Sequence, residues 1–170
     1  MTLLMTWLVP AAGPERDWLV ATIDRLATEL DAPRFRPHVT MLATIDSPED
    51  LAVRTLTSLA AGVPPVDLTL ATIGSEEAYF RSLYLRAEPS AQLLALREAG
   101  QRAWALDPSP YLPHLSLLYS DIPEEDKHSL IESIGIRLPL TVCFDAVELW
   151  ARDPRGVHSW YRIARVALSG

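Results

Sequence analysis

The chain predicts an α+β protein: a duplicated, two-lobed fold in which two mostly antiparallel sheets face a central cleft and helices cover the outside. Two observations carry this. The elements run in the same order through two approximate halves, 1–76 and 77–170, as strand, helix, motif strand, helix, strand. The strands are also not the uninterrupted Val/Ile runs of a doubly wound parallel sheet. With 170 residues the chain suits a single bilobal domain. Its fourteen prolines against seven glycines point to defined element ends rather than a flexible chain.

Each element follows from local pattern. Leu3 to Val9 is apolar and ends at Pro10, which predicts a first strand. Glu15 to Leu30 has Trp18, Leu19, Ile23, Leu26, Ala27 and Leu30 at helical spacing. Asp31-Ala-Pro33 stops that helix, and Arg36 to Thr44 reads as a second strand. Asp46-Ser-Pro-Glu-Asp opens the next helix, with Ser47 as N-cap, Pro48 in the first turn and acids at the positive end. Gly62-Val-Pro-Pro65 breaks it before a strand over Val66 to Ile73.

The second cycle starts with a strand over Tyr79 to Ala87 and a helix from Pro89-Ser-Ala to about Ala105. Asp107-Pro-Ser-Pro110 ends the helix, and Tyr111 to Tyr119 is extended. Asp121-Ile-Pro-Glu-Glu-Asp begins a helix that ends near Gly135, and its acids are helix N-terminal acids, not catalytic carboxylates. Leu138 to Trp150 and Val157 to Ala167 form a closing strand pair around the turn Asp153-Pro-Arg-Gly156.

Bulk properties narrow the function. The net charge of −7 argues against a track for long RNA or DNA, which is held by Lys and Arg contacts to phosphates. A small phosphate-bearing ligand in a local pocket remains compatible with it. No apolar run reaches the ~20 residues of a membrane helix, and the N-terminus has no basic n-region of a signal peptide. The single cysteine, Cys143, fits a reducing, cytoplasmic location and reads as an inert core residue within Leu-Thr-Val-Cys-Phe.

One sequence feature carries chemistry. Pro37-His38-Val39-Thr40-Met41-Leu42 and Pro113-His114-Leu115-Ser116-Leu117-Leu118 share the pattern Pro-His-apolar-hydroxyl-apolar-Leu, and they use two of the chain's four histidines. On a strand, alternate side chains share a face. His38 and Thr40 therefore point one way and Val39 and Met41 the other, and likewise for His114 and Ser116. If a pseudo-two-fold axis relates the halves, two imidazoles and two hydroxyls surround one pocket. Such a pocket suits displacement at phosphorus: one neutral imidazole takes a proton from water and the other, protonated, gives one to the leaving oxygen. Thr40 and Ser116 would donate to the non-bridging phosphate oxygens. The symmetry of the motifs leaves the base and acid roles open.

The paired His-Val-Thr and His-Leu-Ser motifs resemble those of the 2H phosphoesterase superfamily, which has two His-x-Thr/Ser motifs in a duplicated, two-lobed fold. The chain looks most like its cyclic phosphodiesterase branch, through His114-Leu-Ser-Leu-Leu-Tyr119, the order of elements and the length. The second motif has Ser where Thr is usual, which loses a methyl and keeps the donor. The resemblance implies hydrolysis of nucleoside 2′,3′-cyclic phosphates to 2′-phosphates, and action on ADP-ribose 1″,2″-cyclic phosphate. It implies His38 and His114 as catalytic and Thr40 and Ser116 as phosphate-binding residues, with a small cyclic-phosphate nucleotide as partner.

No cofactor is expected. A metal is not expected either, since the helical His pair with an intervening Glu is absent and no acid adjoins either motif. Nothing in the sequence sets an oligomeric state. Two rival readings are an RNA-end or 2′-5′ RNA ligase-like enzyme and a non-catalytic module that binds a phosphorylated ligand. Tyr119, an odd number of residues from Ser116, would reach the pocket only if its strand ends or bulges there. Phe80, with Tyr79, and Trp7, with Trp150, are candidate stacking walls for a base, although aromatics on strands more often belong to the core. His128 and His158 read as surface residues.

Overall fold

The computed structural model describes residues 3–170. In chain order it contains β1 (Leu3–Pro10), α1 (Pro14–Glu29), β2 (Val39–Ile45), α2 (Glu49–Ala60), β3 (Val66–Ser75), β4 (Leu83–Ala87), α3 (Ala91–Ala103), β5 (His114–Leu118), α4 (Glu124–Ile134), β6 (Leu140–Arg152) and β7 (Tyr161–Ala167). Single 3₁₀ turns occupy Tyr79–Arg81 and Val157–Ser159. Every strand pairing is antiparallel. Strand order is β1-β2-β5-β4-β3-β6-β7, and β1 also pairs with β6, so the pairings return to their starting strand. The α+β class and antiparallel pairing are as expected. The two strand groups are joined because β6, at 13 residues, pairs with β3 through Leu140–Phe144 and with β1 through Phe144–Arg152. Among the described residues no helix is long and apolar enough to cross a membrane.

Alternation decides which side chains reach the helices and which reach the opposite face. On β1, Leu4 and Leu8 enter the main core, while Met5, Trp7 and Val9 enter a second cluster with Ala146, Trp150 and Trp160. On β6 the core-facing residues are Val142 and Phe144, then Val147, Leu149 and Ala151. The parity changes at Asp145–Ala146, where the pairing to β1 also slips between Val9 and Pro10. An extra residue at this bulge redirects the rest of the strand. Glu148, Trp150 and Arg152 consequently share a face with Ala146, away from the main core.

Helices cover the core face. α1 buries Leu19, Thr22, Ile23, Leu26 and Ala27, a stripe at helical spacing, after a start with Pro14 in the first turn. α3 is capped by Ser90, whose Oγ accepts from Leu93 N at 3.1 Å, and it approaches β2 closely at Gly100. A Cβ at Gly100 would lie 2.6 Å from Leu42 Cδ1. α4 ends on Gly135 in the left-handed conformation, φ 64°.

Four local readings are corrected. Pro48, not Ser47, occupies the cap position of α2, and Ser47 Oγ turns instead to Pro48 O at 3.3 Å. The strand expected from Tyr79 begins only at Leu83, because Tyr79–Arg81 coils into a 3₁₀ turn closed by Arg81 N donating to Ala78 O. The extended run from Tyr111 is strand only from His114, since Pro110 and Pro113 offer no ladder donor. Cys143 is exposed rather than in the core, because it alternates with the buried Val142 and Phe144.

Leu115 is fully buried on β5 beneath the helices. Leu115→Ala should lower stability by about 2–5 kcal/mol, read from the urea midpoint at unchanged slope. A loss below about 0.5 kcal/mol would contradict this packing.

Candidate active site

β2 and β5 meet through one registered pair, Val39 opposite Leu115. Both side chains are fully buried on the helix-covered face. Extending this antiparallel register by one residue sets His38 beside Ser116 and Thr40 beside His114, all on the opposite face. The two motifs thus lie side by side on neighbouring strands, and the pseudo-symmetry passes between Val39 and Leu115.

Each imidazole is fixed in the same way. His38 Nδ1 is 2.6 Å from Arg36 O, and His114 Nδ1 is 2.7 Å from Leu112 O. A carbonyl only accepts, so each Nδ1 carries the hydrogen and each neutral ring has Nε2 free as a base. The shared proline explains why both carbonyls are available. A residue before proline is held extended, which sends its carbonyl toward the residue two positions on, and proline adds no competing donor.

The surroundings differ. His38 is buried and stacks on Trp7 with ring centroids 3.6 Å apart, and Trp7 in turn stacks on Trp150 at 4.4 Å. Trp150 Nε1 donates to Glu148 at 2.8 Å, and Arg162 holds the same buried carboxylate at 2.8 Å. His114 is half-buried and meets the edge of Tyr84 at 5.4 Å. Gly74 makes room for that tyrosine, since a Cβ there would lie 2.5 Å from Tyr84 Cζ. Tyr84 donates to Glu76 at 3.1 Å, and Glu76 pairs with Arg81 at 2.7 Å.

Burial holds the His38 imidazole down to about 4, with the Arg36 carbonyl opposing and any charge on His114 adding to the effect. Burial also lowers His114, opposed by the Leu112 carbonyl and by Glu76 and reinforced by Arg81. Near neutrality, both rings are therefore neutral.

A small cavity of about 160 Å³ brings together Trp7, His38, Thr40, Phe80, His114, Ser116 and Tyr119. These are residues singled out in the sequence, whereas Tyr79 and Trp150, named with Phe80 and Trp7 as stacking candidates, do not line it. Ser116 Oγ donates to Phe80 O at 2.8 Å, so it can donate to a ligand only by releasing that carbonyl. Tyr119 lies one residue beyond the end of β5, stacks on Phe35 at 3.8 Å and has its hydroxyl 3.5 Å from His38 Nε2. Burial pushes its phenol up, so it stays protonated. Phe80 reaches the cavity from the 3₁₀ turn, with its ring partly exposed.

Sequence reasoning missed Arg152 and Trp160, which also line the cavity, and Phe35 behind Tyr119. Arg152 had a signal, since it is two residues beyond Trp150 and so on the same face of β6. Trp160 and Phe35 sit outside strands and carried none. Trp7 and Trp160 also line a groove of about 410 Å³ with Trp150 and Phe35, and Thr40 and His114 border another of about 550 Å³ with Arg81 and Arg97. Among the described residues no cluster of three His, Cys, Asp or Glu side chains could hold a metal. His128 and His158 are exposed and outside the cavity.

A duplicated antiparallel fold with a His-x-hydroxyl pair on each of two adjacent strands is the arrangement expected of two-histidine phosphoesterases. The chain belongs to the 2′-5′ RNA ligase superfamily, whose family model matches residues 13–156. It is 30% identical to the 2′,3′-cyclic-nucleotide 3′-phosphodiesterase of Phaeosphaeria nodorum over 146 residues, covering 74% of this chain and 73% of that protein. It is 28% identical to the cyclic phosphodiesterase of Arabidopsis thaliana over 114 residues, 65% of this chain, and that match spans 61% of the plant protein's length. The fold is shared with Escherichia coli LigT, solved with phosphate, at a TM-score of 0.60 and 18% identity over 99% of this chain and 98% of that one. A Thermus thermophilus protein of the same fold gives a TM-score of 0.61 and 18% identity, again over 99% of this chain and 98% of that one.

The depressed His38 links folding to pH. Between its unfolded value near 6.5 and its folded value near 4 the unfolded chain binds the extra proton, so stability falls as pH drops through that window, by about 3 kcal/mol in full. The melting temperature should decline from pH 6.5 to 4 in the wild type and flatten in His38→Gln. Equal slopes in the two proteins would contradict the buried neutral imidazole.

Proposed function

We propose that this protein is a hydrolase that opens cyclic phosphodiesters, converting nucleoside 2′,3′-cyclic phosphates to 2′-phosphates with His38 and His114 as general base and general acid. The observation that carries this reading is the identical anchoring of the two rings. Each Nδ1 is committed to a backbone carbonyl two residues back, which leaves two Nε2 atoms for proton transfer at one small cavity. The activities for which the plant and fungal relatives are named support it.

In the proposed reaction one Nε2 accepts a proton from water as the water oxygen bonds to phosphorus. The P–O3′ bond breaks, and the other ring, protonated, gives its Nε2 proton to the departing 3′ oxygen. Thr40 and Ser116 donate to the non-bridging oxygens as charge gathers there, Ser116 after leaving Phe80 O. The Trp7 face supports a positive charge on His38 when it forms, since a cation over an indole is favoured. The cavity suits the phosphate and its ring, and the aromatic groove past Trp7 and Trp160 suits the base. The same chemistry extends to ADP-ribose 1″,2″-cyclic phosphate.

The test is hydrolysis of the four nucleoside 2′,3′-cyclic phosphates in EDTA, with the product isomer identified. The 2′-phosphate should form, and His38→Ala and His114→Ala should each lower kcat by roughly 10²–10⁴-fold, with the double variant little worse. Near wild-type rates in either single variant would refute the assignment.

The pH dependence of kcat/KM should be bell-shaped with both limbs below the ordinary histidine value, because both rings are depressed in the free enzyme. Its rate therefore falls as pH rises through about 6.5 and beyond. An alkaline optimum would exclude the two histidines as the titrating pair.

A further inference from the structure

We propose that Arg152 is the residue that captures the phosphate of the substrate, acting as the fixed positive charge of the two-histidine cavity. The identity of the substrate rests on the cyclic phosphodiesterase reading, whereas capture of the anion stands on the geometry of the cavity alone. Among the described residues Arg152 is the one Lys or Arg lining the cavity. It closes β6 on the face that carries Trp150, and its register partner is Leu3 at the start of β1.

Its guanidinium is positioned by aromatic faces and not by an acid. The guanidinium carbon lies 5.3 Å from the Phe80 ring centroid and 5.9 Å from that of Trp160, and the two rings are 5.7 Å apart. Aromatic faces hold a guanidinium by its flat side and leave its N–H edge free. That edge matches two oxygens of a phosphate in a bidentate contact. Among the described residues no carboxylate is ion-paired with Arg152. The neighbouring cations are engaged: Arg81 with Glu76 at 2.7 Å, Arg162 with Glu148 at 2.8 Å and Arg165 with Asp145 at 3.1 Å.

Charge balance requires such a group. The chain carries a net charge of −7 and an approaching phosphodiester is an anion, so the general field repels it. With both imidazoles depressed by burial, neither offers a positive charge before the ligand is bound. The cradle is also tied to the site's hydroxyl, because Phe80 supplies one aromatic face to Arg152 and its carbonyl to Ser116. A phosphate that draws the Ser116 proton away from Phe80 O meets Arg152 beside it.

The experiment measures binding of inorganic phosphate and adenosine 2′-monophosphate by calorimetry, with steady-state kinetics on adenosine 2′,3′-cyclic phosphate, in wild type, Arg152→Met and Arg152→Lys. Methionine retains the apolar contact with Phe80 and Trp160 and removes the charge. Both Kd values and KM should rise roughly tenfold or more in Arg152→Met while kcat changes less, and Arg152→Lys should recover part of the loss. Phosphate should also shift the Arg152 Nε–H resonance of the wild type, assigned by its absence from Arg152→Lys, a readout that does not depend on the methionine variant folding. Unchanged Kd and KM in Arg152→Met, or an unmoved resonance at saturating phosphate, would overturn the proposal. Failure of the substrate reading is separate: it would appear as wild-type phosphate binding that depends on Arg152 without turnover of any cyclic phosphate.

Discussion

The site depends on one antiparallel pairing, Val39 opposite Leu115, which brings the two motif strands into contact. Burying these two side chains against the helices commits their neighbours to the opposite face, because a strand has only two faces. His38, Thr40, His114 and Ser116 are thereby gathered without any local preference of their own for the cavity. A slip of one residue in either strand would turn its histidine into the core and its apolar neighbours into the cleft. The packing of Val39, Leu115, Met41 and Leu117 thus enforces the register that the proposed chemistry needs.

The second constraint is how the histidines are oriented. Both motifs use a backbone carbonyl where many catalytic histidines use a carboxylate. A carbonyl orients the ring and fixes its tautomer while adding no negative charge, so burial prevails and both imidazoles stay below their ordinary value. Both imidazoles are consequently uncharged near neutrality, and an anion bound beside them would favour protonation of one ring. The two rings sit in unequal surroundings, an indole stack for His38 and a Tyr84–Glu76–Arg81 network for His114. Pseudo-symmetric motifs are given different electrostatic settings by the elements around them.

That network explains a misread segment. Tyr79 to Ala87 has the composition of a strand, yet its first part coils because Glu76 is held from three sides. Its carboxylate takes Arg81 and Tyr84, and its carbonyl accepts from Lys127 Nζ at 2.6 Å. Lys127 is only 2% exposed, from a helix whose start reads as solvated, and its charge is met by Glu124 at 3.0 Å. Of these contacts, the one between Glu76 and Lys127 joins residues 51 positions apart, which no local pattern encodes. The coil they enforce carries Phe80 out of a sheet position and over the cavity.

What the sequence determined by itself is whatever alternation and repetition encode. The duplicated hexad identifies the two histidines and two hydroxyls, the 2.0-residue period places them on one face, and the helical stripe of α1 is read directly from Leu19, Ile23 and Leu26. Tertiary structure alone decided the rest. The parity change at Asp145–Ala146 turns Glu148, Trp150 and Arg152 to the cleft, Trp160 and Phe35 arrive from segments without periodicity, and Cys143 faces outward from an apolar run. The physical reason is the same in each case. Periodicity specifies how residues on one element relate to each other, whereas bulges, turns and cross-strand registers are set by contacts between elements, and it is those contacts that assemble the pocket.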